Sequence, residues 1–264
     1  VTYANLQRWN PKSKTVPHIL DKWLVSKFNS LINTVTQTLE EYDCSKASQA
    51  IENFVVMDLS TWYVRRSRDR VSEALPTLYS IIVDLSKLIS PFMPFVSEEI
   101  YMNLTGEDSV HLSDFPKANQ KSIDKKLAEE MQYARQLVEE IHALRKIKGI
   151  KVRQPLKSLT YTGKKLQNDI EEIIAEEVNV KKIIFKKGAK LTLDTNITLQ
   201  LKAEGEAREL IRQIQAARKD ALCRLDQKII VEAPSWPKDF EGYIMTQTLT
   251  TKLIKSTSLA IKKL

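Results

Sequence analysis

Cysteine, glycine and proline are all scarce in this chain. The two cysteines, Cys44 and Cys223, stand far apart in 264 residues. No pair at short spacing exists to seed a zinc site, so both are expected as free thiols packed as small core side chains, a usage that fits a reducing, cytoplasmic setting. Six glycines and nine prolines are few for this length, which excludes a turn-rich sandwich and favours long uninterrupted helices. No apolar run suits a membrane span. The most apolar stretch, residues 77–96, carries Asp84 and Lys87 and holds Pro91 and Pro94, and reads as a core helix. Val1-Thr2-Tyr3-Ala4-Asn5 offers neither a start methionine nor a basic signal region, so the chain is expected to begin inside a longer protein.

Groups able to do chemistry are just as sparse. His18, His111 and His142 are the only histidines, and none has a Ser or Cys beside it in a recognisable nucleophile setting. The pairs Glu98-Glu99 and Glu139-Glu140 are adjacent, hence on different helix azimuths, and form no carboxylate dyad by themselves. Glycine-rich phosphate loops are missing. No catalytic residue, no metal and no cofactor is expected in this chain.

What the sequence does hold is charge, 28% of residues against 42% hydrophobic, in a length that allows one large core or two ordinary ones. The formal charge of +8 is uneven. Residues 1–122 hold 13 Lys and Arg against 14 Asp and Glu, while residues 123–264 hold 28 against 19. Two segments supply much of the excess: Arg145-Lys146-Ile147-Lys148-Gly149-Ile150-Lys151-Val152-Arg153, and Lys181-Lys182 followed by Lys186-Lys187 and Lys190. Such density suits a phosphate backbone, because neutralised phosphates release counterions; a merely solvated face is the plainer alternative.

The first half reads as a string of amphipathic helices. Over residues 18–41, Leu20, Leu24, Phe28, Leu31, Ile32, Val35 and Leu39 recur at three and four. Asp43 is a natural N-cap for a second helix running to about residue 70. A third spans 73–89 and stops at Ser90-Pro91, a fourth spans 93–104 before Gly106, and a long charged fifth spans 123–148 before Gly149. Beyond it, strands are expected at 159–161, 183–185, 191–193, 197–202 and 229–232, with helices at 167–177 and 206–221. The tail suggests one more helix over 243–254 and a strand over 259–264. The expected fold is mainly α, an antiparallel helix bundle over 1–150 followed by a small α/β domain over 151–264.

The second helix carries the most informative constellation, Asp58-Leu59-Ser60-Thr61-Trp62-Tyr63-Val64-Arg65-Arg66-Ser67-Arg68-Asp69-Arg70. At 3.6 residues per turn Trp62, Arg66 and Arg70 share a face, flanked by Arg65 and Arg68. A flat ring beside forked donors is what a single-stranded RNA loop needs. The same residues also admit a purely structural role, Trp62 and Tyr63 as core and the arginines capping carbonyls or pairing with Asp58 and Asp69. Spacing alone leaves both open.

The string from Asn53 to Arg68, NFVVMDLSTWYVRRSR, closely resembles the hallmark of the helical domain of isoleucyl-tRNA synthetases. Leu20-Asp21-Lys22-Trp23-Leu24, LISPFMPFVSEEIY from Leu88, SVHLSDFP from Ser109, GIKVRQPL from Gly149 and ARELIRQIQ from Ala207 resemble the same family in order. The proline-aromatic segment is shared by the valyl, leucyl and methionyl relatives, so a valyl or other class I synthetase is the nearest alternative. The Trp-Tyr-Val-Arg-Arg-Ser-Arg string separates the isoleucyl members.

The resemblance implies a class I synthetase anticodon-binding fold with a C-terminal α/β region like the eukaryote-like form, lacking the cysteine-rich zinc module of many bacterial members. It implies a parent isoleucine-tRNA ligase that uses ATP and Mg, with the catalytic domain elsewhere in the same chain. No His-x-Gly-His, Lys-Met-Ser-Lys-Ser or editing segment is found here, so the region itself is expected to be non-catalytic and monomeric, and its partner is the anticodon stem-loop of tRNA(Ile). Residues 1–5 resemble the last turn of an upstream helix of that domain. Trp62, Arg65, Arg66, Arg68 and Arg70 are the expected loop contacts, and Arg145, Lys146, Lys148, Lys151 and Arg153 the expected backbone contacts. A basic protein-interaction scaffold is the reading from another class. It would show no preference among RNA loops at fixed salt.

Overall fold

The structure, a computed structural model, describes residues 17–264; the reading of residues 1–5 as a helix end lies outside them. Helix α1 (Ile19–Glu40) starts where its sequence supplies a capping box. The His18 imidazole accepts from the Leu20 amide at 3.2 Å, and the Asp21 carboxylate accepts from the His18 amide at 2.9 Å. Leu20, Trp23, Leu24, Phe28, Leu31, Ile32 and Val35 are buried along one face, each contributing about 1.5–3 kcal/mol of apolar burial. Helix α2 (Cys44–Asn53) is capped by Asp43, which accepts from the Lys46 amide at 3.0 Å. Cys44, expected in the core, is exposed at its first position, and Cys223 is half-buried.

The second helix does not run on in α form. Phe54–Val64 is a π-helix, whose wider winding buries positions four and five apart, namely Phe54, Asp58, Leu59, Trp62 and Tyr63. Adjacent Trp62 and Tyr63 can then both face inward. The chain breaks at Ser67, makes a short 3-10 turn over Arg68–Arg70 and enters α3 (Val71–Ile89). Helix α4 (Pro94–Thr105) opens on a proline at its first turn and ends on Gly106 at φ +73°, a left-handed cap that favours glycine. Helix α5 (Lys125–Ile147) ends ahead of Gly149 at φ +65°.

The described chain forms two compact units, one reaching to Tyr133 and the other starting at Ala134, the division falling within α5. In the first, α1 packs on α2, on the π-helical segment and on α3, and α3 packs on α4. This is the mainly helical part that the sequence called for.

The second unit holds β1 (Leu159–Tyr161), α6 (Asn168–Glu177), β2 (Ile183–Phe185), β3 (Thr192–Leu193), α7 (Leu199–Asp220), β4 (Ile229–Ala233), α8 (Glu241–Thr248), β5 (Thr250–Lys255) and β6 (Ala260–Lys263). One topology occurs twice. β1 is central, parallel to β2 through α6 and antiparallel to β3, with Leu159 opposite both Ile183 and Leu193. β4 is likewise central, parallel to β5 through α8 and antiparallel to β6, with Val231 opposite Leu253 and Ile261. β4 alternates buried and half-buried positions, and its Ile229, Val231 and Ala233 pack with Ala207, Leu210 and Ile214 of α7 and Ile244 of α8.

Two expected elements are different. Residues 197–202 alternate like a strand, yet α7 already begins at Leu199, because the Thr198 hydroxyl accepts from the Leu201 amide at 3.3 Å and caps a helix. Leu201 then joins the apolar stripe of α7 while Leu199 is left 88% exposed. The helix expected over 243–254 stops at Thr248, since Leu249 takes φ +55°, and the rest pairs with β4 as β5.

Candidate nucleic-acid interface

In the first unit the Trp62–Arg70 segment sorts its basic residues by depth. Trp62 is 5% exposed, and its indole N–H donates to Met131 Sδ at 3.3 Å. The Arg66 guanidinium lies 3.2 Å from the centre of the Trp62 ring and donates to the Thr61 and Trp62 carbonyls at 3.3 and 3.1 Å. Arg66 therefore caps the end of the π-helix and covers the indole, so the indole is not a bare surface for a base. Arg65 and Arg68 are exposed. Beside Arg68 a cavity of about 320 Å³ opens between apolar walls that include Val64, Val71 and Leu75.

Arg70 turns inward instead of lining up with Arg66. It forms a two-point fork on Asp21, Nη1 to Oδ2 at 3.0 Å and Nη2 to Oδ1 at 2.8 Å, while the Tyr63 hydroxyl donates to the same Oδ1 at 2.6 Å. Asp21 is 1% exposed, so this is a buried ion pair with its remaining lone pairs met by the capping box. Burial pulls the Arg70 pKa down, but hydrogen bonding and charge from Asp21 outweigh it and the net shift is upward. Burial, then the Asp21 contact, raises the Tyr63 hydroxyl well above the usual range. The helical alignment of Trp62, Arg66 and Arg70 fails at the break after Arg66, and Arg70 is a structural anchor.

In the second unit the basic stretch 145–153 divides in the same way. Arg145 is 1% exposed and donates to the carbonyls of Lys151 and Gln154, both at 3.0 Å, and of Asn179 at 2.9 Å. Burial pushes its pKa down to about 10, which leaves it charged at neutral pH. Its Nη donors are turned to backbone and its Nε is buried, so it cannot also meet a phosphate. Asn179, at φ +53°, donates to the Val152 carbonyl at 3.0 Å, and Gln154 donates to the Leu201 carbonyl at 2.8 Å. Carbonyls 151, 152 and 154 are thus drawn inward, and Lys146, Lys148, Lys151 and Arg153 are exposed. The result is a fixed loop that displays cations.

Charge composition identified that loop but not what holds it. Gln154 and Asn179 carry no local signal, whereas Asp21, three residues after His18 at a helix start, fits a capping-box pattern. The loop also meets α7, where Glu209 accepts from Arg212 at 2.6 Å and pairs with Arg153 at 3.5 Å. Hydrogen bonding from Arg212, followed by the charges of Arg212, Arg153 and Lys151, lowers the Glu209 pKa despite some burial. His142 lies 3.8 Å from Glu177, and among the described residues no three His, Cys, Asp or Glu side chains converge on a metal site. No helix among the described residues is long and apolar enough to cross a membrane.

Residues 21–160 match the family described as the anticodon-binding domain of tRNA ligase. That span takes in both the Trp62–Arg70 segment and the basic loop. Isoleucine–tRNA ligase of Clostridium tetani is 38% identical over 225 residues, covering 78% of this chain and 22% of the relative. The corresponding protein of Thermococcus kodakarensis is 36% identical over 209 residues, covering 70% of this chain and 20% of the relative. That of Dehalococcoides mccartyi (strain ATCC BAA-2266) is 34% identical over 303 residues, covering 97% of this chain and 30% of the relative. The chain therefore spans between a fifth and a third of the length of these relatives.

Proposed function

This chain belongs to the anticodon-binding domain family of tRNA ligases, and from that membership we propose that it grips the anticodon stem and loop of tRNA(Ile) for an isoleucine–tRNA ligase. The observation that carries the proposal is the loop 146–153, which the buried Arg145 and Asn179 fix from within while Lys146, Lys148, Lys151 and Arg153 stay in water. A preformed cationic loop binds a polyanion without first ordering itself, and each phosphate it neutralises adds salt-sensitive affinity.

In this reading Arg65 and Arg68 meet the loop of the RNA at the break between the π-helix and α3. The planar Arg66 guanidinium, seated on Trp62, offers a platform on which an unstacked base can lie, so Trp62 shapes the platform from below. Arg70 and Arg145 act from inside, each holding the segment that carries the exposed cations. We assign RNA holding to a helical domain over 1–150, with an α/β domain over 151–264 continuing it. Isoleucine activation, with ATP and Mg, belongs in this proposal to a catalytic domain of the same parent chain, a cytoplasmic monomer, and not to the residues here.

The test is a titration of this chain with a tRNA(Ile) anticodon stem-loop beside the same hairpin with its anticodon changed, at several salt concentrations. The proposal expects affinity that falls steeply with salt and favours the unchanged loop at any one salt. Equal affinity for both hairpins would replace anticodon reading by backbone attraction alone, and no affinity for either would remove the RNA role.

A further inference from the structure

Two carboxylates on successive turns of α7 are each gripped by two cations, but they differ in depth. Glu204 is 8% exposed and takes Lys181 and Arg208, both at 2.8 Å. Arg208 in turn donates to the Asn179 side chain at 2.5 Å. Glu204 itself is buried, although the Lys181 and Arg208 side chains are 50% and 32% exposed, and the set ties α7 to the segment after α6. Glu209, one turn on, sits among exposed groups. Its side chain is 28% exposed, and those of Arg153 and Arg212 are 49% and 45% exposed.

The carboxylate of Glu209 divides its oxygens. Oε1 takes the Arg212 fork, with Nε at 3.0 Å and Nη2 at 2.6 Å, and Oε2 faces Arg153 Nη1 at 3.5 Å. The charge of Lys151 adds the smallest of the effects that lower the Glu209 pKa. Two guanidiniums thus flank one carboxylate, and the exposed Lys151 of the same loop adds further positive charge on a surface open to water. An oxyanion with two oxygens turned to two guanidiniums is also how a phosphodiester is held.

We propose that Lys151, Arg153 and Arg212 form a phosphate site on the α/β unit in which Glu209 is a placeholder, holding the guanidiniums in position until an RNA phosphate displaces it. Two features keep the cations in place when the carboxylate leaves. The loop is fixed through Arg145, and it is locked to α7 by Gln154, whose side chain reaches the Leu201 carbonyl at 2.8 Å and lies against Gly205. A Cβ on Gly205 would stand 2.5 Å from Gln154 Oε1, so the Gln154 side chain packs directly on the backbone of α7. Exchange of one anion for another needs no proton and no metal. It extends the cationic track from 146–153 onto α7, where composition gave no sign of it, because Glu209 cancels Arg212 in any count of charge.

The inference rests on the RNA-binding reading, so the experiment separates the two. The whole chain is titrated with the anticodon stem-loop RNA from low to moderate salt, as wild type, Glu209→Gln and Arg212→Ala, with melting temperatures taken in parallel. Wild-type binding tests the reading itself. Given that binding, Glu209→Gln is expected to bind about two- to fivefold more tightly at fixed salt, the range of an exposed ion pair released from competition. Arg212→Ala is expected to weaken every hairpin alike and to flatten the salt dependence by about one. Both variants should melt with the wild type. Unchanged or weaker binding by Glu209→Gln makes the carboxylate an organiser and overturns the placeholder role. An unchanged salt slope in Arg212→Ala removes the phosphate site, and failure of wild type to bind RNA removes both.

Discussion

Arg70 holds Asp21 by both ends of its guanidinium, at 3.0 and 2.8 Å, and so joins the start of α3 to the first turn of α1. Residues 49 apart in sequence are fixed by one fork. Asp21 is at once the N3 member of the α1 capping box, the acceptor for Tyr63 and the counter-ion of Arg70. The break after Arg66 is consequently not slack: the chain leaves the π-helix, turns, and is caught again before α3 begins.

Breaking that fork should destabilise the first unit. Asp21→Ala takes both carboxylate acceptors from Arg70 and leaves the Tyr63 hydroxyl only its 3.3 Å contact with the Ala74 carbonyl, and a loss of about 3–5 kcal/mol is expected. Arg70→Ala should cost about 2–3 kcal/mol, less because 14% of the Arg70 side chain is in water. Urea unfolding in low and high salt measures both. A loss below about 1 kcal/mol that vanishes in high salt would put the pair among ordinary surface bridges.

The Tyr63 hydroxyl supplies a pH signature for the same node. Its pKa is raised in the fold, first by burial and then by Asp21, from an ordinary 10.0. A raised folded pKa means that its stabilisation is complete below about pH 10 and fades as pH climbs from there toward the folded value. The stability advantage of the wild type over Tyr63→Phe should therefore be constant from about pH 7 to pH 9 and shrink above about pH 10. An advantage independent of pH would show that the hydroxyl ionises alike in both states.

How far the sequence could be read depended on whether a residue's partner was local. His18 with Asp21, Asp43 with Lys46 and Gly106 at a helix end act within a few positions, and the helix ends they mark were legible to within a residue or two, whereas the far end of the helix capped by Asp43, expected near residue 70, was not. Arg70 and Arg145 were legible as basic but not as turned inward. Their acceptors, Asp21 and the carbonyls of Lys151, Gln154 and Asn179, are brought to them by tertiary packing. Residues 197–202 misled for the converse reason. A period of two was present, but the Thr198 cap and the stripe from Leu201 to Ile214 favour helix. Arg65, Arg68, Lys148 and Lys151 are exposed as expected; their contacts with RNA rest on the proposal.

Arg145 should prove to be a positioning residue. Arg145→Met keeps much of the volume but takes the guanidinium donor from the Gln154 carbonyl, at about 1–3 kcal/mol where water cannot reach it, and leaves the carbonyls of Lys151 and Asn179 only the amides of Gln154 and Leu156. A net loss of about 2–4 kcal/mol is expected, since removing an unpaired buried charge offsets part of the cost. Hydrogen exchange at Gln154 and Leu156 should quicken before the rest of the unit does. Exchange there at the wild-type rate would free the loop from Arg145.

Gly205 should be intolerant of a methyl group only while Gln154 is present. Gly205→Ala gains helix propensity worth about 1 kcal/mol, yet its Cβ would stand 2.5 Å from Gln154 Oε1, so a net loss of about 1–2 kcal/mol is expected from overpacking. In a Gln154→Ala background the same substitution should be neutral or stabilising. A double-mutant cycle reads the coupling directly, and additive losses would mean that the two residues do not press on one another.

The exposed and buried arginines should separate when stability and RNA affinity are measured on the same variants. Arg65→Ala and Arg68→Ala remove exposed cations, so each is expected to flatten the salt dependence of stem-loop binding by about one while leaving the melting temperature near wild type. Lys151→Ala should do the same and weaken all hairpins equally. Arg66→Ala should cost about 1–3 kcal/mol of binding and relax the preference for the unchanged anticodon, because it removes the guanidinium platform over Trp62. Trp62→Ala is the control from below: with a side chain 5% exposed, its dominant effect should be a loss of stability of about 3–5 kcal/mol. Were Arg66→Ala to weaken all hairpins by the same factor as Lys151→Ala, the platform would reduce to one more phosphate contact, and loop preference would have to come from residues other than these.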